Sequence, residues 1–270
     1  KVSDDGLEYT FHLRHDALWS NGDQVTSADF MWSFERFLDP QTAAEYAYML
    51  WYVEGAEAFT TEVEDGRAVH GFDTVGITAP DEYTLRFRLK APTPFFLELM
   101  AFYPMFPVNR RNIEEAQERF PDRWQQQWLR PENIVCNGAY TMSSWRLNHR
   151  IRLVRNPHYW DAESIKLNKI IFYPIENAVT VERMFRAGQL HYSGTVPADK
   201  IATYRERKDP SLHIAPYLGV YFYRINTRIP QLQDKRVRRA LGMTIDRDKI
   251  SQRILKGGQI PAYTITPPGT

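Results

Sequence analysis

The sequence predicts an α/β fold built on a mixed sheet, and three observations lead to it. Short stretches of period-two alternation (residues 9–14, 84–89 and 151–155) are interleaved with stretches of helical periodicity (30–38 and 179–187). The two kinds do not follow strict strand–helix–strand order, which argues against an all-parallel sheet. The chain has 270 residues, 43% of them hydrophobic, enough to bury a core in one large or two small domains.

Taken in order, residues 9–14 form a short strand, and Trp19-Ser20-Asn21-Gly22-Asp23 supplies turn chemistry after it. Thr26 or Ser27 then caps a helix, with Asp29 in the first turn, where the helix dipole favours an anion. Phe30, Met31, Phe34, Phe37 and Leu38 make its core stripe, and Asp39-Pro40 stops it. Residues 42–59 read as a second, unusually aromatic helix. Tyr48, Trp51, Tyr52 and Phe59 would share one face of it while Tyr46 points elsewhere. Residues 75–78 and 84–89 flank Pro80-Asp81-Glu82 as a hairpin. An apolar helix over 95–102 follows, and Pro104 and Pro107 mark a domain boundary near residue 108.

Beyond that boundary, 110–120 reads as a charged surface helix and 124–128 as a glutamine-rich loop. Residues 140–145 and 151–155 pair as strands, and 169–175 adds another. Residues 179–187 are helical with Gly188 as the stop, 190–193 read as a short strand, and 197–207 as a charged helix with a proline at its start. Two last helices, 234–243 and 246–256, end at Gly257-Gly258.

Residues 215–226, A-P-Y-L-G-V-Y-F-Y-R-I-N, stand apart. As a strand they would put Tyr217, Gly219, Tyr221 and Tyr223 on one side and Leu218, Val220, Phe222 and Arg224 on the other. A buried phenol needs a hydrogen-bond partner, so three tyrosines on one side suit the wall of a half-wet cleft. A strand at a sheet edge with its hydroxyls in solvent accounts for them equally well.

The net charge of +1 gives no electrostatic case for binding nucleic acid or an anionic membrane. There is no run of about 20 apolar residues that would span a bilayer. Residues 1–5 are polar and lead directly into strand-like sequence, so we expect the chain to begin inside a domain, without a signal peptide. The single cysteine, Cys136, excludes an internal disulfide. His12 and His15, three apart on a strand, face opposite sides and do not converge with Asp16 on a metal. Cys136 has no histidine in local reach to act as its base. No nucleophile elbow, phosphate loop or dinucleotide fingerprint is present. The residues thus give no cofactor, no metal and no sign of an enzyme. The basic runs Arg150-Ile151-Arg152 and 235–239 read as solvated faces.

Several segments together resemble the periplasmic solute-binding proteins of peptide ABC importers, extracellular solute-binding protein family 5. They are residues 9–14; Trp19-Ser20-Asn21-Gly22-Asp23 with Val25-Thr26 and Asp29-Phe30; 133–140; Arg155-Asn156-Pro157-His158-Tyr159-Trp160; and 216–226. Val237-Arg238, Asp246-Arg247-Asp248, Pro261-Ala262-Tyr263 and Thr266-Pro267-Pro268 extend the likeness along nearly the whole chain, in order.

The resemblance implies a two-lobe, type II periplasmic-binding-protein-like fold with mixed sheets and an extra small α/β domain, the second lobe mostly missing here. It implies residues 1–108 as the extra domain, N-terminally incomplete, 109–216 as part of the first lobe, and 217–270 as a hinge strand and the start of the second lobe. Members are about twice this length, and their charged groups for the peptide termini would fall beyond Thr270. The implied function is capture of short peptides between the lobes and delivery to an ABC permease, by a monomeric, periplasmic protein with no nucleic-acid partner. By position, Tyr46 and Tyr217 match tyrosines that contact the peptide, and Gly219, Phe222 and Arg224 line side-chain pockets. Arg224 departs from the family's oligopeptide binders, which carry glutamate there. Around Ser193-Gly194-Thr195 the family's paired asparagines are absent and the loop is one residue shorter, which alters backbone contacts at Ser193 and Gly194. The Asn137-Gly138 and 155–160 segments fall to scaffold. Relatives of the same fold carrying a nickel chelate, haem or oligosaccharide, and ligand-sensing domains of transcription regulators, are the alternatives.

Overall fold

In the computed structural model, residues 1–215 and 217–267 are described. Pro216, at the start of the tyrosine segment, and Pro268, in the 266–268 motif, lie outside the described residues. The chain divides into two compact units, Lys1–Pro174 and Ile175–Thr270.

The first unit holds the main core. Strand β1 (Glu8–His12) leads through the Trp19 turn to helix α1 (Ser27–Leu38). The Thr26 backbone N–H donates to the Asp29 carboxylate at 2.8 Å, and this capping interaction starts the helix where the sequence places it. Phe34 and Leu38 are buried, with Phe30, Met31 and Phe37 packed at the core's margin. The single helix expected over 42–59 is instead a 3-10 turn, Ala47–Leu50, followed by the short helix α2 (Ala56–Thr61). Ala43 (φ 49°) and Gly55 (φ 72°) leave helical dihedrals on either side of the turn. Gly55 is also packed so closely that a Cβ there would strike the Thr74 carbonyl oxygen. Tyr48 and Tyr52 are therefore exposed while Phe59 is buried, and the predicted common face does not exist.

A two-residue hairpin, β2 (Val63–Glu64) with β3 (Arg67–Ala68), precedes β4 (Ile77–Asp81) and β5 (Thr84–Arg88). The last two form the expected hairpin, and β1 joins the far side of β5, giving the order β1-β5-β4 with Tyr9 opposite Phe87. Helix α3 (Phe96–Met100) buries Phe96 against Tyr9 and Phe87, at ring distances of 4.8 and 5.4 Å.

Helix α4 (Arg110–Arg119) is capped by Asn109, whose side chain accepts from the Asn112 N–H at 2.8 Å. The glutamine-rich stretch closes into one turn of helix, α5 (Trp124–Gln127), where the sequence suggested a loop. Strands β6 (Tyr140–Arg146), β7 (Arg150–Arg155) and β8 (Lys169–Phe172) form an antiparallel sheet in that order. All ladders among the described residues are antiparallel.

Asn156 follows β7 and is fully buried. Its Nδ2 donates to the Gly138 carbonyl at 2.9 Å and its Oδ1 accepts from the His158 N–H at 3.0 Å. The two segments assigned to scaffold are thus tied to each other by one amide. Arg14 binds Asp16 through two hydrogen bonds of 2.9 and 2.8 Å and lies 3.7 Å from the centre of the Trp160 ring.

The second unit contains α6 (Ala178–Arg186), α7 (Ala198–Glu206), α8 (Pro230–Gln233), α9 (Lys235–Met243) and α10 (Arg247–Lys249), the last running on as a π-helix over Ile250–Leu255. Gly188, at φ 70°, stops α6 as the sequence indicates. The short strand expected over 190–193 does not form. The Gln189 N–H turns back to the Met184 carbonyl at 2.9 Å, and the chain bends at His191 and again at Gly194.

Candidate functional site

In the first unit, Tyr46 immediately precedes the 3-10 turn, which buries Ala47 and Leu50 and leaves Tyr46 37% exposed. The Tyr46 ring meets Phe102 edge-on at 5.3 Å and Tyr48 at 6.4 Å, and Phe102 in turn meets Tyr103 at 4.6 Å. The result is a run of four aromatic rings with an exposed outer surface. The indole N–H of Trp51, 6.5 Å from Tyr48 between ring centres, is buried without a partner among the described residues. The sequence singled out Tyr46 but not Phe102 or Tyr103. Their partner is 56 positions away, and the one local signal was the proline-marked aromatic cluster at 102–107.

In the second unit, the strand expected over 215–226 is absent: its described residues carry no ladder. A strand exists by hydrogen bonds to a neighbour, and no described segment supplies one. At its start the Gly219 N–H bonds to the Tyr217 carbonyl at 3.0 Å, a tight turn that an extended strand would not contain. The alternation nevertheless survives further along. The Tyr221 and Tyr223 rings lie 5.9 Å apart at 82°, and the Arg224 guanidinium lies 5.9 Å from the Phe222 ring centre. These are the i, i+2 neighbours that period two places on one side.

Tyr217 is 90% and Tyr221 86% exposed, and Phe222 is about half exposed. A side chain at Gly219 would collide with the Tyr217 ring. Ser193 hydrogen-bonds within its own loop, to the Thr195 carbonyl at 2.8 Å, and Gly194 sits beside the exposed Tyr192 ring. Tyr217, Gly219, Phe222 and Arg224 therefore lie on one segment, with Ser193 and Gly194 in the same unit, and Tyr46 belongs to the other unit.

Among the described residues of the second unit, ion pairs join Arg186 to Glu182, Lys200 to Asp199, Arg236 to Asp234 and Lys249 to Asp246. Among the described residues none includes Arg224. Glu182 is buried, accepts a hydrogen bond from the Tyr204 hydroxyl at 3.0 Å, and helps hold that phenol's pKa above its ordinary value, burial being the larger cause.

Among the described residues no group of three or more His, Cys, Asp or Glu side chains is placed to hold a metal ion. His15 leaves the strand and stacks on Tyr83 at 4.1 Å. The Cys136 thiol donates to the Tyr140 carbonyl at 3.5 Å, and its backbone is pinned to Ser20. No described helix is long and apolar enough to cross a membrane. A groove of about 290 Å³ beside His12, Arg14, Asn137 and Trp160 lies in the first unit. Its arginine is already committed to Asp16.

The arrangement offers exposed rings, backbone groups outside any ladder and a positive group, a chemistry of binding. Known proteins resemble the chain along nearly its whole length. The chain is 36% identical over 272 residues to the oligopeptide-binding protein OppA of Bacillus subtilis (strain 168), matching 99% of this chain and 47% of that protein. It is 37% identical over 267 residues to the periplasmic oligopeptide-binding protein OppA of Escherichia coli (strain K12), matching 98% of this chain and 47% of the relative. The chain thus spans about half the length of the curated relatives it matches. Among solved structures, OppA of Burkholderia pseudomallei superposes with a TM-score of 0.88 at 35% identity, covering 98% of this chain and 50% of that one. These relatives share its α/β architecture. The model of the bacterial extracellular solute-binding proteins, family 5, middle region, matches residues 1–270, and the chain belongs to that family.

Proposed function

We propose that this polypeptide acts in a receptor that captures short peptides between two lobes and delivers them to an ABC import permease, outside the cytoplasm and without chemistry on its cargo. The observation that carries this reading is the match, along almost the whole chain, to two proteins named for oligopeptide binding at 36% and 37% identity. A further structural neighbour, OppA of Haemophilus influenzae at 32% identity and a TM-score of 0.86, is described in complex with the peptide RPPGFSPFR.

The residues suit the task. A receptor for many peptides recognises the backbone they share, and unpaired main-chain groups beside exposed tyrosines offer that recognition. Tyrosine presents a flat face and a hydroxyl while freezing few rotors. We assign Tyr46, Tyr217, Gly219, Phe222, Arg224, Ser193 and Gly194 to the peptide-contacting set. Within the polypeptide we assign 1–108 to a small extra domain, 109–216 to part of the first lobe, and 217–270 to the crossing segment and the start of the second. The protein works as a monomer.

The test is intact mass of the protein from its source, together with mass spectrometry of the small molecules that co-purify. Short peptides released on denaturation support the reading. Their absence, with no binding of added tripeptides, overturns it. A second reading has one specific support: a relative at 34% identity is named as a probable deoxycholate-binding periplasmic protein. Deoxycholate belongs in the same titration, and its binding in place of peptides would favour that alternative.

A further inference from the structure

From residue 210 to residue 233 the chain contains no aspartate or glutamate, and its charged side chains are Arg224 and Arg228, with His213 titratable. Tyr217, Gly219 and Phe222 of the peptide-contacting set, and the exposed Tyr221 and Tyr223 between and beside them, lie within this acid-free stretch. The Arg224 guanidinium stands beside the Phe222 ring, and among the described residues it makes no ion pair and no side-chain hydrogen bond. A guanidinium against an aromatic face keeps its forked donors available, and the ring displaces water from one side of it. What such a group lacks is a planar anion, and a carboxylate takes it through two parallel hydrogen bonds.

We propose that Arg224 is a specificity-determining residue that selects peptides carrying an acidic side chain over those carrying a basic one. The inference rests on the peptide-receptor reading above. Aspartate or glutamate in the cargo gains a charge-assisted pair at Arg224. Lysine or arginine meets a like charge, and the stretch that carries it, 210–233, supplies no carboxylate of its own to relieve it.

The test is calorimetric titration of the whole gene product with Ala-Ala-Ala, Ala-Glu-Ala and Ala-Lys-Ala. The expected result is an affinity ratio of about ten in favour of the glutamate peptide over the lysine peptide. That ratio is ~1.4 kcal/mol, the sum of one attraction and one repulsion of ordinary surface size. It should fall toward one in Arg224→Gln and invert in Arg224→Glu, and it should shrink as salt is raised. Arg228→Glu separates local pairing from net charge, and if it moves the ratio as far as Arg224→Glu, the assignment to Arg224 is wrong. Binding of all three peptides with equal affinity overturns the selectivity and leaves peptide reception standing. Binding of none, trialanine included, overturns peptide reception itself.

Discussion

Asn156 shows how one side chain can hold a scaffold. It is fully buried, and its amide serves as donor to Gly138 and as acceptor from His158 at once. Removing it takes the partner from the Gly138 carbonyl and the His158 N–H and leaves a void at a fully buried position. We expect Asn156→Ala to cost roughly 2–3 kcal/mol in urea unfolding, far more than truncation of an exposed residue. Asn156→Asp should not rescue it near neutral pH, because a carboxylate cannot donate to Gly138. The importance of the 155–160 segment was legible in the sequence. The reason, an amide reaching back 18 positions, was not, because sequence spacing carries no information on which loop a buried side chain meets. Tyr46 shows the same limit from the other side. Its departure from an apolar face was visible, while its ring partner Phe102 was not.

Elements were legible wherever the signal was local. Helix α1 begins at its capping residues, and Asp29→Ala should lower stability by about 1 kcal/mol in a thermal melt through loss of the Thr26 N–H partner. The hairpin of β4 and β5 follows from alternation about a turn. The helix expected over 42–59 failed because periodicity does not register a backbone that turns left-handed at Ala43 and Gly55. The tyrosine strand failed for a different reason: alternation marks a segment fit to be a strand, but pairing must come from elsewhere. Helix α9 offers a pH test. Its cap Asp234 is held below the ordinary carboxylate range, first by the Arg236 side chain at 2.6 Å and then by the Arg236 backbone N–H. A carboxylate with a depressed pKa in the folded state contributes stability above about pH 4, its unfolded value, and loses it as the pH falls further. Hydrogen-exchange protection over residues 235–243 should therefore drop as the pH falls below about 4, and the drop should be smaller in Asp234→Asn.

For the whole molecule, the two units differ in what holds them together. The core cluster of buried side chains, from Tyr9 and Leu38 through Phe87 to Met105, lies entirely within the first unit. In the second, the one buried hydrophobic side chain among the described residues is Ile201, while Val237 and Leu241 of α9 are exposed. Hydrophobic burial is the main favourable term in folding. Residues 1–174 expressed alone should accordingly melt in one cooperative calorimetric transition, and residues 175–270 expressed alone should show none. A cooperative transition in the latter would mean that its stability comes from polar contacts such as Glu182–Tyr204.

The pairing of β1 with β5 has a consequence in time. Tyr9 and Phe87 are partners 78 positions apart, so β1 cannot pair with β5 until β5 has been synthesised. At typical elongation rates that delay is on the order of ten seconds, long compared with the microseconds in which a hairpin such as β4–β5 closes. During that interval β1 leaves the ribosome with its β5-facing edge unpaired and two aromatic side chains, Tyr9 and Phe11, in water. The nascent chain is then a client for any chaperone that binds extended apolar segments, and the β1–β5 pairing forms long after β1 itself is made.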